Sequence, residues 1–73
     1  MDEYSRILIE EYCENHDTAK SRRLKKLVEM SYDLTAVGTD SDAYFLEKII
    51  AQEKNPELKA ALEELDEYLF GMW

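Results

Sequence analysis

The chain has 73 residues, so residues 1–73 can form one domain at most. Its composition is 45% hydrophobic and 36% charged, and the regular spacing of the apolar residues indicates a folded chain rather than a disordered one. The net charge of −8 repels nucleic acid and anionic lipid, which excludes both as partners unless a local patch provides the contact.

The N-terminal half of the chain predicts two helices. Apolar residues recur at helical spacing over residues 2–14, which predicts the first helix. A break follows, and Asn15 or Asp17 is predicted to cap the next helix, although one continuous helix remains an alternative. The second helix is predicted over residues 18–36. Its apolar face consists of Leu24, Leu27, Val28 and Leu34.

A glycine and a polar pair separate the second helix from the third. Gly38 can adopt a positive φ and is predicted to end the second helix. Thr39, followed three residues later by Asp42, resembles a capping box with Asp in place of Glu or Gln. The third helix is therefore predicted over residues 41–54. Its core face consists of Phe45, Leu46, Ile49 and Ile50.

The start of the fourth helix is the clearest boundary in the chain. Asn55 is a preferred N-cap residue, and Pro56 suits the first helical position because its missing N–H has no partner there. Gly71 is predicted to stop this helix. One apolar stripe runs along it, formed by Leu58, Ala61, Leu62, Leu65 and Leu69.

These elements predict an all-α fold, a small compact bundle of three to four helices. Because 73 residues are few for four helices, either the core is small or a second copy completes the fourth helix's stripe in a homodimer. No secretory leader or membrane-spanning apolar segment is evident, so we expect a cytoplasmic protein with no membrane partner. Its single cysteine is expected to be reduced.

Charge is unevenly distributed along the chain. Residues 19–30 carry five bases against Glu29, whereas the segments on both sides are acidic. Three interpretations of the cationic run remain open: charge balance with Glu10, Glu11, Glu14 or the last helix, contact with a protein partner, and contact with nucleic acid. The acidic faces of the first and last helices are either a solvated surface or an imitation of a phosphate backbone. The five bases are Lys20, Arg22, Arg23, Lys25 and Lys26.

The C-terminal segment is unusually rich in bulky apolar residues. Two interpretations stay open, a lid that folds over the bundle and an anchor for a partner or a second subunit, since aromatic residues and Met are enriched at interface centres. The residues concerned are Tyr68, Phe70, Met72 and Trp73.

Motifs for catalysis or cofactor binding are absent from the sequence. Cys13 and His16 have the spacing of half a metal site, but no second pair exists to complete four ligands. Neither residue has a recognisable third group that would orient it for nucleophilic catalysis, and neither glycine lies in a phosphate-binding motif. We therefore expect no enzyme, no metal and no cofactor.

The leading hypothesis is a small acidic interaction or regulatory protein, an adaptor or inhibitor that binds and modulates another protein. Proteins of this size and charge are common among regulators carried by phages and mobile elements. The alternative is a nucleic-acid-related role, through phosphate mimicry or through a weak contact of residues 20–26 with nucleic acid. The predicted partner-binding residues are Arg22, Arg23, Lys25, Lys26, Tyr68, Phe70, Met72 and Trp73.

Overall fold

Four α-helices form the fold in the computed structural model, which describes residues 2–32 and 38–71. They are α1 (Glu3–Asn15), α2 (Ala19–Met30), α3 (Asp40–Gln52) and α4 (Pro56–Phe70). Helix α1 packs against both α2 and α4, and α3 packs against α4. The predicted all-α bundle is confirmed. Of the helices described, none combines the length and apolar character that a bilayer crossing requires.

The core lies between the four helices and takes residues from each of them. The stripe predicted on α4 is buried inside the single chain from Leu58 to Leu65, and Leu69 packs at its edge. The stripe therefore needs no second copy to cover it, and the homodimer stays a prediction. The buried apolar residues are Ile9, Leu24, Leu27, Val28, Leu46, Ile49, Leu58, Ala61, Leu62 and Leu65.

Helices α1 and α2 are separate, and the cap between them differs from the prediction. The N-cap of α2 is Thr18, not Asn15 or Asp17. Its Oγ1 accepts a hydrogen bond from the backbone N–H of Ser21 at 3.1 Å, and its own N–H donates to Ser21 Oγ at 3.3 Å. Serine thus takes the position that Glu or Gln usually fills in a capping box, which made the motif hard to detect.

The end of α2 was also predicted wrongly, because this helix ends at Met30. The backbone N–H of Ser31 donates to Val28 O, and that of Tyr32 donates to Glu29 O, both at 3.1 Å. These bonds span three residues rather than four, and the Ser31 hydroxyl also donates to Val28 O at 2.5 Å. A serine that bonds the preceding turn competes with helix continuation. The remaining predicted residues, 33–36, lie outside the described residues.

The starts of α3 and α4 are confirmed by their caps. Thr39 Oγ1 accepts the backbone N–H of Asp42 at 3.1 Å, and Asp42 Oδ2 accepts the backbone N–H of Thr39 at 3.2 Å. Asn55 Oδ1 accepts the backbone N–H of Glu57 at 3.0 Å, with Pro56 at the first helical position. Both boundaries therefore follow from local hydrogen bonding.

Gly38 has a different role from the one predicted, because its φ is not positive. A Cβ atom at this position would collide with the ring of Phe70. Glycine is therefore required here by close packing rather than by backbone conformation. The predicted stop of α4 is confirmed, since the N–H of Gly71 donates to Glu67 O at 2.8 Å just beyond the last helical residue.

Candidate functional site

A groove opens between α2 and α3, the neighbouring helices that make little direct contact. Its volume is about 530 Å³. Ala19, Leu27 and Met30 supply apolar lining, and the polar lining comes from α2 cations together with Asp42 of α3. The cations are Arg22, Arg23 and Lys26.

Arg23 joins the two helices across this groove. Its Nη2 atom donates to Ser41 Oγ at 2.8 Å and to Asp42 Oδ1 at 3.2 Å, and its guanidinium lies 4.5 Å from the centroid of the Phe45 ring. Burial by itself would raise the pKa of Asp42, but hydrogen bonds from Thr39 and Arg23 outweigh it and lower this pKa. Arg23 is therefore part of the fold as well as of the groove.

Arg22 is held much more weakly than Arg23. Its Nη1 atom lies 2.9 Å from Asp17 Oδ1, but the two side chains are 65% and 94% exposed. An ion pair this exposed contributes little to stability. Both arginines pair with aspartates inside the chain, and not with Glu10, Glu11, Glu14 or the acids of α4, the partners named in the charge-balance interpretation.

The lysines of α2 have other surroundings. Lys20 Nζ lies 5.6 Å from the centroid of the Tyr12 ring. Lys25 and Lys26 are exposed, and no carboxylate within residues 2–32 and 38–71 lies within ion-pair distance of either.

Two of the C-terminal residues predicted as partner contacts, Tyr68 and Phe70, lie apart from this groove. Tyr68 is 42% exposed, whereas Phe70 packs against the core and over Gly38. Neither residue lines the α2–α3 groove. For Phe70 this packing matches the lid interpretation. Met72 and Trp73 lie outside the described residues.

Cys13 and His16 lie near each other at the end of α1. Burial raises the pKa of the Cys13 thiol, and the nearby charge of Lys25 only partly opposes this. A raised pKa leaves less thiolate, the form that acts as a nucleophile. His16 stacks on Tyr12 with 4.2 Å between ring centroids, and its Nδ1 lies 2.9 Å from Tyr12 O. The part of the chain that the structure describes holds no cluster of three metal-ligating side chains.

The side chain of Glu64 on α4 forms hydrogen bonds with the N-terminal end of α1. Sequence reasoning did not predict this contact. Glu64 Oε1 accepts the backbone N–H of Asp2 at 2.5 Å, and Glu64 Oε2 accepts the hydroxyl of Ser5 at 2.5 Å. These hydrogen bonds, the Ser5 bond foremost, lower the pKa of Glu64. Tyr4 lies beside this contact, and its hydroxyl donates to Glu57 Oε2 at 2.9 Å.

Several tyrosines of the chain are exposed to solvent. Tyr4, Tyr32 and Tyr44 are 52%, 56% and 68% exposed, and only Tyr12 packs against the core. On α1, the exposure of Tyr4 and Ile7 accords with an apolar arc that is wider than one core-facing side requires. Part of α1 therefore faces outward, next to α4.

Comparison of the chain with protein-family models, with curated proteins and with solved structures gave no match. Two surfaces of the described residues are candidate binding sites. They are the cationic groove between α2 and α3 and the outward-facing side of α1 next to α4.

Proposed function

We propose that the chain is a small interaction protein whose α2–α3 groove binds an acidic, amphipathic segment of a partner protein. It then acts on that partner as an adaptor or inhibitor. The observation that carries this proposal is the combination of an apolar lining with exposed, weakly paired cations, in a chain whose net charge is −8.

The lining of the groove suits a peptide more than a polynucleotide. Ala19 and Met30 give apolar side chains of a partner a surface to contact, and methionine adapts readily to different shapes. Among the described residues no aromatic side chain lines the groove, so these residues offer no platform for the stacking of bases. The overall negative charge also repels a polyanion more strongly than a short acidic segment.

Three cations of α2 are proposed to contact carboxylates of the partner. Arg22 and Lys26 line the groove and have weak pairing or none among the described residues, so they can meet carboxylates of the partner. Lys25 is exposed on the same helix and extends the positive surface. Complementary charge of this kind sets orientation and the rate of encounter more than affinity. The C-terminal aromatic residues remain a second predicted contact.

The proposal is tested by affinity capture of the tagged chain from the lysate of its native cell, with and without nuclease. The variant Arg22→Glu/Lys26→Glu reverses two groove charges, and Lys48→Glu/Lys54→Glu reverses two exposed charges outside the groove. Both variants change the net charge from −8 to −12, so the second is a matched control for the first. Circular dichroism checks that both are folded.

We expect one stoichiometric protein partner that survives nuclease, is lost with the groove variant and is kept with the control. Equal loss with both variants would mean that only net charge matters. Recovery that depends on nucleic acid would replace the proposal with the nucleic-acid alternative. If DNA or RNA displaces the chain from a nucleic-acid-binding partner, phosphate mimicry by the acidic faces is favoured instead.

A further inference from the structure

A second groove lies on the other side of α1, where this helix meets α4. It consists of two adjoining hollows of about 510 and 440 Å³ that share Tyr4 and Leu8. One hollow extends along α1 to Ile7, and the other reaches Ala60 and Ala61 on α4. The small alanine side chains let a partner approach α4 closely.

This groove exposes apolar surface. Tyr4 is 52% exposed and Ile7 is 42% exposed, and both belong to the lining. Apolar side chains that lie together around a concave surface with a polar rim are typical of an interaction site. The groove therefore has the apolar component that a helix-binding site requires.

The charge around this groove is negative and is only partly neutralised among the described residues. Arg6 is the one base in the first eighteen residues, and its guanidinium lies 3.3 Å from carboxylate oxygens of both Glu3 and Glu10. Among the described residues, no base lies within ion-pair distance of Glu11 or Glu57. The Glu57 carboxylate accepts a hydrogen bond from the hydroxyl of Tyr4, and this bond raises the pKa of Tyr4.

We propose that the α1–α4 groove binds a cationic amphipathic helix of a partner protein. The apolar face of that helix would lie against Tyr4, Ile7 and Leu8, and its lysines and arginines would meet Glu11 and Glu57. The net charge of −8 attracts such a partner from a distance and opposes a second copy of this chain as the occupant. The α1–α4 and α2–α3 grooves thus select segments of opposite charge.

The test uses a fluorescein-labelled peptide and fluorescence anisotropy with the full chain. The peptide has about 16 residues, long enough to form a helix, with leucine along one face and lysine elsewhere. Ile7→Ser removes apolar surface and Glu11→Lys reverses a charge in the groove. Their matched controls, Tyr44→Ser and Glu63→Lys, make equivalent changes at exposed positions outside it.

We expect Ile7→Ser and Glu11→Lys each to weaken binding about fivefold. Ile7→Ser removes apolar surface that the peptide would bury, and Glu11→Lys removes a carboxylate that would pair with a lysine of the peptide. The two controls should leave affinity unchanged, and so should Arg22→Glu/Lys26→Glu, which separates this surface from the α2–α3 groove. Equal weakening by Glu11→Lys and Glu63→Lys would overturn the proposal, as would no binding by the wild type at low salt. A dimer in sedimentation that Ile7→Ser dissociates would assign the groove to a second copy.

Discussion

Replacing Arg23 with alanine should destabilise the fold far more than the same change at Arg22. Arg23 loses a hydrogen bond to Ser41, an ion pair with Asp42 and a contact with the Phe45 ring. The hydrogen bond contributes about 0.5–1.5 kcal/mol, the partly exposed ion pair about 0.2–1 kcal/mol and the cation–π contact about 0.5–1 kcal/mol. Together these predict a loss of about 2 kcal/mol in the free energy of unfolding.

The loss can be measured by urea unfolding and by thermal melting, both followed by circular dichroism. For a chain of this length, about 2 kcal/mol corresponds to a fall in Tm of about 8–16 °C. Arg22→Ala is the matched control, because it removes the same side chain from an exposed pair, and it should cost less than about 0.5 kcal/mol. If the free energies of unfolding of the two variants differ by less than about 0.5 kcal/mol, Arg23 does not join α2 to α3 in solution.

Three further predictions concern stability. Asp66→Asn should raise the free energy of unfolding by up to about 1 kcal/mol at neutral pH, because burial and then the charge of Glu47 raise the pKa of Asp66 in the folded chain. Urea titrations at several pH values should show this gain disappearing in acid, where Asp66 is protonated in both the folded and the unfolded state. Glu64→Gln should cost about 0.5–1.5 kcal/mol at neutral pH, because its hydrogen bonds are partly exposed to solvent. Since folding lowers the pKa of Glu64, the difference from wild type should shrink as the pH falls from 4.5, and a pH-independent difference would contradict this. Gly38→Ala should cost about 1–3 kcal/mol by collision with Phe70, and adding Phe70→Ala should abolish that cost in a double-mutant cycle of melts.

The features that the sequence predicted well depend on neighbours in the chain. The Asn55-Pro56 start of α4 and the Thr39–Asp42 cap of α3 involve residues at most three positions apart, so the same side chains are available before the bundle forms. The leucine stripe of α4 was equally readable, because helical periodicity alone decides which residues share a face.

The features that the sequence did not predict depend on how the helices are placed in space. The Glu64 carboxylate accepts the backbone N–H of Asp2, the N-cap of α1, which lies 62 residues earlier in the chain. Gly38 is required by the ring of Phe70, and this contact exists only when α4 returns to the start of α3. Neither contact can be predicted from residues that are close together in the sequence. Sequence reasoning therefore explains Gly38 by its backbone freedom and treats Glu64 as one of several surface acids.

The cationic run of α2 shows why charge balance and partner contact were not exclusive interpretations. Successive residues on an α-helix point about 100° apart, so closely spaced cations spread around its circumference. Arg23 falls on the side that meets α3, and Lys25 is near enough to Cys13 of α1 for its charge to affect that thiol. Arg22 and Lys26 remain in the groove with weak pairing or none among the described residues. A change at Arg23 should therefore reduce stability and binding together, whereas Arg22 and Lys26 report on binding alone.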